Sequence, residues 1–165
     1  MVPNVRRTWA PCGETPILYC AGHWTKISAI SAITISAHGR RIQLYIRLHP
    51  NRNIRHQEVI LFLRLLLRHL RKGFILLWDR SMVHRATRVK RFLKNHRRII
   101  AYSFPPYAPE LNPDEFIWTN LKCHAANSVP KHILHLRDLL KTPIRRLKSS
   151  KALLWSCIEA SELPW

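Results

Sequence analysis

The sequence predicts an α/β protein in which a mixed sheet is flanked by helices on both faces. Two segments with strand-like alternation come first, at 26–36 and 41–48, and a short apolar run follows at 74–78. Segments with helical periodicity separate the later apolar runs. The predicted order is therefore β-β-α-β-α-β-α, which is typical of strands in a mixed sheet covered by helices.

The first two predicted strands form a hairpin. Segment 26–36 carries Ile and Ala on both alternating faces, which predicts a strand buried on both sides. His38 and Gly39 supply the turn. Segment 41–48 alternates Ile or Leu with mostly polar residues, so a half-buried strand is expected there. Residues 1–26 are rich in Pro, Gly and aromatic residues and indicate a loop with one extended piece at 17–20.

The middle of the chain alternates helices with short strands. Segment 55–72 places arginines on one helical face and apolar residues elsewhere, and Gly73 is expected to be its C-cap. The uninterrupted apolar run at 74–78 predicts a central strand. A second helix at 84–95 and a further strand at 98–104 follow.

The last third of the chain begins with a rigid proline-rich loop at 105–109. Asn112 as N-cap and Pro113 as first residue predict a helix that runs to about Ala126. A final basic helical region is expected at 131–160, with a break near Pro143.

Charge points to a polyanionic partner. The chain has 28 Lys and Arg against 9 Asp and Glu, a net charge of +19. Nucleic acid is the commonest partner of such a chain. An anionic membrane surface is the main alternative, but the basic segments alternate with strand-like runs, which favours a folded core. No apolar run reaches the roughly 18 residues of a membrane span. The four cysteines form no Cys-x-x-Cys pair, which indicates free thiols.

Two carboxylates are candidates for chemistry. Asp79 follows the apolar run 74–78 directly, and ligands gather at the carboxyl ends of strands in open α/β sheets. Glu115 lies in the first turn of the helix that begins at Pro113. One helix, one strand and one loop separate the two acids, so we expect them to meet and to hold Mg²⁺ for phosphodiester chemistry. Alternatively, Asp79 only caps the next helix, and Glu115 only interacts with the dipole of its own helix.

Several segments resemble the DDE transposases, specifically the mariner-like superfamily and its bacterial insertion-sequence relatives. The first pairs Trp-Asp at 78–79 with His-Arg-Ala at 84–86. The second reads FPPYAPELNPDEFIW at 104–118 and continues into Leu-Lys at 121–122. Segment 7–16 is similar to the stretch that follows the first catalytic Asp of that family. The likeness covers about residues 5–125.

The resemblance implies a ribonuclease-H-like fold, Mg²⁺ or Mn²⁺ as cofactor, and cleavage and joining of DNA. Asp79 stands where the family has its second metal-binding Asp, and Glu115 stands where it has its final Glu, so both are implied as catalytic metal ligands. The implied partners are transposon-end and target DNA, not a membrane, with a homodimer for the intact protein and a DNA-associated cytoplasmic location. The expected DNA contacts are Arg80, His84, Arg85, Arg88 and Lys122.

The sequence also departs from the family pattern. Residues 1–6 precede the matching stretch and contain no acid, so the first catalytic Asp has no counterpart. We therefore expect an N-terminally truncated core at 1–127 that lacks the first strand, and a basic helical extension at 128–165. Its two-ion site would be incomplete, and Arg80 would repel a cation, so the fragment is expected to be inactive. The alternative is a non-catalytic nucleic-acid-binding domain, in which His84 only begins a helix and Lys122 is solvated.

Overall fold

The computed structural model describes residues 7, 9–14, 17 and 26–163. It confirms the mixed α/β class and the predicted order of elements. The described strands are β1 (Ile27–Ile35), β2 (Ile42–Pro50), β3 (Phe74–Trp78) and β4 (Ile99–Ser103). The helices are α1 (His56–His69), α2 (Thr87–Lys94), α3 (Pro113–Ala125), α4 (Ile133–Ser149) and α5 (Lys151–Glu159), with a 3₁₀ turn at Pro109–Leu111. The extended piece predicted at 17–20 lies outside the described residues except for Ile17.

Strands β1 and β2 form the predicted antiparallel hairpin, with Ile35 opposite Ile42. Gly39 closes the turn with a φ of 66° and donates its N–H to the Ser36 carbonyl at 2.8 Å. Alternate side chains of β1 pack into two different hydrophobic cores, one on each face. Every residue of β1 is only half-buried, so the strand packs on both faces but is not buried on both sides as predicted.

Two hydrophobic cores flank the hairpin. The first joins β2 to α3, α4 and α5, and its buried members are Ile42, Leu44, Ile117, Leu121, Leu147, Leu154, Cys157 and Ile158. The second is built on α1, α2 and β4 from Val59, Phe62, Leu63, Leu66, Leu67, Val89, Phe92 and Ile99. Helices α4 and α5 therefore share a core with α3, while the boundary predicted between 127 and 128 stays a prediction.

Strands β3 and β4 are parallel, with Phe74 opposite Ile99. Helix α1 ends with Leu70 as its C-cap, so the expectation that Gly73 is the cap is wrong. Gly73 instead enters β3 with a φ of 88°, and a Cβ built there would lie 2.6 Å from the Arg98 carbonyl oxygen. The glycine is required by this close approach of two backbones.

The described strands form two separate pairs, β1 with β2 and β3 with β4. The prediction of a central strand at 74–78 is therefore wrong for the described residues, in which β3 pairs only with β4. Ile75 and Leu77 point to the uncovered face and are 65% and 43% exposed. Both pairs pack against the core of α1 and α2. In this part of the chain, one edge of β1 and one edge of β3 have no strand partner, which leaves backbone groups unpaired.

Two helix boundaries differ from the sequence expectation. Helix α4 continues through Pro143, which is buried, and the break comes at Ser150. The Ser150 hydroxyl accepts a hydrogen bond from the Leu153 N–H at 3.2 Å and begins α5. A side-chain cap therefore places the break, since the serine satisfies a backbone donor of the new helix. Helix α2 begins at Thr87 instead of His84.

Cys12, Cys123 and Cys157 are free thiols, as predicted, and Cys20 lies outside the described residues. No helix in the described part of the chain is both long enough and apolar enough to cross a membrane.

Candidate active site at the end of strand β3

Asp79 is fixed by the turn that follows β3. Its Oδ1 accepts a hydrogen bond from the Ser81 N–H at 2.9 Å and lies 2.7 Å from Nδ1 of His84. The bond to a backbone donor two residues ahead is the Asx turn that aspartate favours. About half of the Asp79 side chain remains exposed, at 54%. The carboxylate is thus held in one orientation while it stays open to a ligand.

His84 is held on two sides. Its ring stacks on Trp78 with centroids 4.4 Å apart and planes 10° apart, and its Nδ1 faces the Asp79 carboxylate. The residue lies in a turn three residues before α2, so its expected place at a helix start is wrong. Trp78 was not predicted as part of the site. The signal for it is an aromatic residue immediately before the aspartate and a histidine one turn later.

The surroundings of Asp79 favour its charged form. Partial burial raises the pKa of Asp79, but the Ser81 N–H and the nearby His84 lower it by more, so the pKa lies below the ordinary value of 3.8. The group is therefore ionised at neutral pH. An ionised carboxylate is the state that a hard metal ion requires.

Glu115 is placed by the predicted start of α3. The Asn112 side chain accepts a hydrogen bond from the Asp114 N–H at 3.2 Å, and Pro113 is the first helical residue. This confirms the Asn-Pro cap. Glu115 is exposed, and its backbone N–H donates to the Asn112 carbonyl at 3.0 Å, while among the described residues its carboxylate has no hydrogen-bonded or ion-paired partner. Its carboxylate is free to meet a ligand.

Asp114 is the acid that sequence reasoning missed. Its carboxylate turns into the interior and accepts a hydrogen bond from the Ser31 hydroxyl of β1. Burial raises the pKa of Asp114 to about 6, and the negative charge of Glu115 adds to this effect, while the hydrogen bonds from Ser31 and Trp118 oppose it. The signal in the sequence is weak, since Ser31 is one of two serines in the otherwise mainly apolar strand β1.

The predicted meeting of Asp79 and Glu115 stays a prediction. Helix α3 packs on β1, α4 and α5, whereas Asp79 follows the other strand pair. Within the described residues, no group of three His, Cys, Asp or Glu side chains is placed to hold one metal ion. The donor chemistry of two carboxylates nevertheless fits a hard divalent cation, with water and phosphate oxygens as the remaining ligands.

The expected DNA-contacting cations fall into two groups. Arg80, Arg85 and Arg88 are exposed and lie in the Asp79 turn or in the first turn of α2. The Arg88 guanidinium is 3.3 Å from Nε2 of His56, which joins this group to the start of α1. Lys122 is exposed on α3, two turns after Glu115. Cations therefore accompany both carboxylates.

The fold is an α/β domain in which an ionised aspartate lies at a strand end with arginines nearby. A family model described as DDE superfamily endonuclease matches residues 2–136. The match covers most of the chain, and the chain belongs to this family. Among curated protein sequences, none matches it.

Solved structures show that the fold is ribonuclease-H-like. They include the Mos1 mariner paired-end complex with Mn, at a TM-score of 0.55 and 14% identity over 99% of this chain and 52% of that chain. The Mos1 strand transfer complex matches at a TM-score of 0.55 and 12% identity over 99% of this chain and 51% of that chain. The chain thus spans about half the length of these structures.

Proposed function

We propose that this chain is the catalytic-core portion of a DNA transposase whose intact form cleaves and joins DNA at transposon ends with Mg²⁺ or Mn²⁺. The observation that carries the proposal is Asp79, an ionised and oriented carboxylate at a strand end within a match to the DDE endonuclease family. The similar solved structures are Mos1 paired-end and strand-transfer complexes, and one of them is described with Mn. They support DNA and a divalent metal as partners.

The residues divide the work by their chemistry. Asp79 and Glu115 would hold the metal, which when bound activates water and stabilises charge on a phosphate. His84 orients the Asp79 carboxylate through Nδ1 and is itself held by Trp78. Arg85 supplies a planar donor group that matches phosphate oxygens. Arg80, directly beside Asp79, weakens the affinity for a cation by repulsion.

We infer that the chain by itself does not cut DNA, because the described residues supply two candidate ligands instead of three. A supercoiled plasmid incubated with the protein and Mn²⁺ should stay supercoiled, and D79N should behave in the same way. Nicking that requires Mn²⁺ and disappears in D79N would show that the site is already complete.

Metal binding tests the site more directly than cleavage does. We expect D79N and E115Q each to weaken Mn²⁺ binding, measured by the loss of the free-ion electron paramagnetic resonance signal. D138N is the matched control, because Asp138 is an exposed acid of α4 that pairs with Lys141 at 2.7 Å. If both site variants bind Mn²⁺ as tightly as the unaltered protein, the metal-site assignment is wrong.

The second candidate is a non-catalytic nucleic-acid-binding domain, and the net charge of +19 favours it. It predicts salt-dependent DNA binding with no contribution of Asp79 and Glu115 beyond charge. The Mn²⁺ titration separates the two candidates. For the intact protein we also propose a homodimer and a DNA-associated cytoplasmic location in the bacterial nucleoid.

A further inference from the structure

Helices α1 and α2 lie side by side and run in the same direction. Three contacts connect α1 with α2 or connect the turns that follow these helices. The contacts come in the same order along both segments of the chain, so the helices are parallel. The contacts are His56 with Arg88 at 3.3 Å, Arg64 over the ring of Phe92 at 5.8 Å, and Arg98 Nη1 with the Arg71 carbonyl at 2.8 Å. The line between the two helices is as long as the shorter helix, α2, whose 8 residues span about 12 Å.

Four arginines border this line, and we call them the seam arginines. Arg64 and Arg68 are one turn apart on α1, and Arg88 and Arg91 are one turn apart on α2. All four side chains are exposed. The aromatic face of Phe92 holds the Arg64 guanidinium over the line between the helices.

The charge of the seam arginines is not neutralised by nearby acids. The carboxylates that form ion pairs in the described part of the chain are Asp79 and Asp138, and they pair with His84, Arg137 and Lys141. The sequence has no acid between Glu58 and Asp79 or between Asp79 and Glu110. A row of uncompensated arginines is suited to a polyanion.

The seam begins beside the loop that follows Asp79. Val83 and Ala86 of the Asp79 loop line a small cleft with Arg55 and His56 at the start of α1. Helix α1 ends shortly before Gly73, at the start of β3, whereas Asp79 follows the end of β3. The seam therefore runs away from the Asp79 end of β3. A strand lying along it would have its end directed at the carboxylate.

We propose that the seam arginines bind one phosphodiester strand of duplex DNA and guide it to Asp79. The proposal rests on the proposed function and identifies the surface that holds the flanking DNA. Each DNA strand carries a phosphate about every 3.4 Å along the axis, so the seam faces about three or four phosphates. Arginine donates to phosphate through two parallel N–H groups.

An anionic membrane fits this surface less well. A helix that binds a membrane surface must insert an apolar face. In α1 and α2 that face is already buried in the core, through residues such as Phe62, Val89 and Phe92.

The test is the affinity for a 20-base-pair duplex, measured by fluorescence anisotropy across a salt series in EDTA. The double variant R68Q/R91Q removes two charges from the seam, and R145Q/K148Q removes two exposed charges from α4 as the matched control. Since each phosphate contact adds about 0.9 to the salt slope, we expect the seam variant to reduce the slope by about 1.8. Its affinity at 100 mM salt should fall at least about tenfold. The control should keep its slope and lose less than about twofold.

Equal losses in the two double variants would overturn the proposal, because only total charge would then matter. An unchanged salt slope in R68Q/R91Q would also overturn the proposal. The same holds if R68Q/R91Q binds phosphatidylserine vesicles more weakly but keeps its affinity for DNA. The single variant R91Q, with an expected slope change of about 0.9, guards against an effect of misfolding in the double variant. Because EDTA removes metal ions, the DNA affinity measured here does not depend on the metal site. The result therefore stays interpretable even if D79N binds Mn²⁺ as tightly as the unaltered protein.

Discussion

Asp79 and Asp114 carry the same carboxyl group in opposite surroundings. Asp79 is half exposed and accepts a backbone N–H, and its pKa lies below the ordinary value. Asp114 is enclosed between α3 and β1, and its pKa is raised to about 6. The exposed acid is therefore the one suited to a charged ligand, and the enclosed acid opposes folding when it ionises.

The raised pKa of Asp114 predicts a pH-dependent stability. Between the unfolded pKa of 3.8 and the folded pKa of about 6, the folded state binds more protons, so the free energy of unfolding falls as pH rises through this window. The loss amounts to about 3 kcal/mol at most. D114N keeps an acceptor for the Ser31 hydroxyl without the charge. We expect D114N to stabilise the protein at pH 7.5 by about 1–3 kcal/mol, measured by urea unfolding without divalent ions.

The same variant should have little effect at pH 4, where Asp114 is already protonated in the folded state. D138N is the control, because Asp138 is exposed and its hydrogen bond with Lys141 lowers its pKa, so removing its charge should not stabilise the protein at pH 7.5. A D114N protein that is less stable than the unaltered chain at pH 7.5 would show that the ionised form is the one the fold accommodates.

At the scale of elements, Gly73 joins α1 to β3 at a point where a side chain has no room. A Cβ at this position would meet the Arg98 carbonyl at 2.6 Å, in a backbone conformation with a φ of 88°. We expect G73A to lower the free energy of unfolding by about 2–4 kcal/mol, since it combines backbone strain with a clash.

G39A is the matched control for this change. Gly39 also has a positive φ, of 66°, but the nearest atom to its Cβ position is 4.0 Å away, on Trp155. We expect G39A to lower the free energy of unfolding by only about 1–2 kcal/mol, which is the cost of a side chain at a positive φ. Equal losses in G73A and G39A, measured by urea unfolding, would mean that the approach of Arg98 contributes nothing.

At the scale of the whole molecule, the two strand pairs differ in how far their faces are covered by packed side chains. The β1–β2 hairpin has packed cores on both faces, whereas among the described residues no core covers one face of β3–β4. Its exposed apolar side chains are Ile75, Leu77, Ile100 and Tyr102. Parallel strands are normally covered on both faces, so we expect β3 and β4 to open more readily than their surroundings.

Amide hydrogen exchange checks this expectation. Amides of β3 should exchange faster than those in the buried turns of α1, for example at Leu63 and Leu66. The reason is that local opening of β3 breaks few apolar contacts. Exchange of β3 at the rate of α1 would contradict this expectation, since it would place both elements in one cooperative unit.

The fold was predictable where the cause is local. The order of elements follows from periodicity, and the start of α3 follows from the Asn112-Pro113 pair, which the structure confirms. The position of Asp79 at a strand end follows from the apolar run before it. Each of these depends on a few neighbouring residues.

The remainder depends on residues that are distant in the chain. Ser31 and Asp114 are 83 positions apart, and the role of Gly73 depends on Arg98. The separation of the strands into two pairs depends on what occupies the open edges of β1 and β3, which no local pattern specifies. Local propensity also placed a break at Pro143, but α4 runs through this proline, which is buried.

Anomalous scattering from crystals soaked in Mn²⁺ shows whether Asp79 and Glu115 belong to one metal site. We predict one anomalous peak within bonding distance of both carboxylates, about 2.0–2.6 Å from their oxygens. The peak should be lost in D79N crystals. A peak bound to only one of the two carboxylates, or placed elsewhere on the protein, would contradict the assignment.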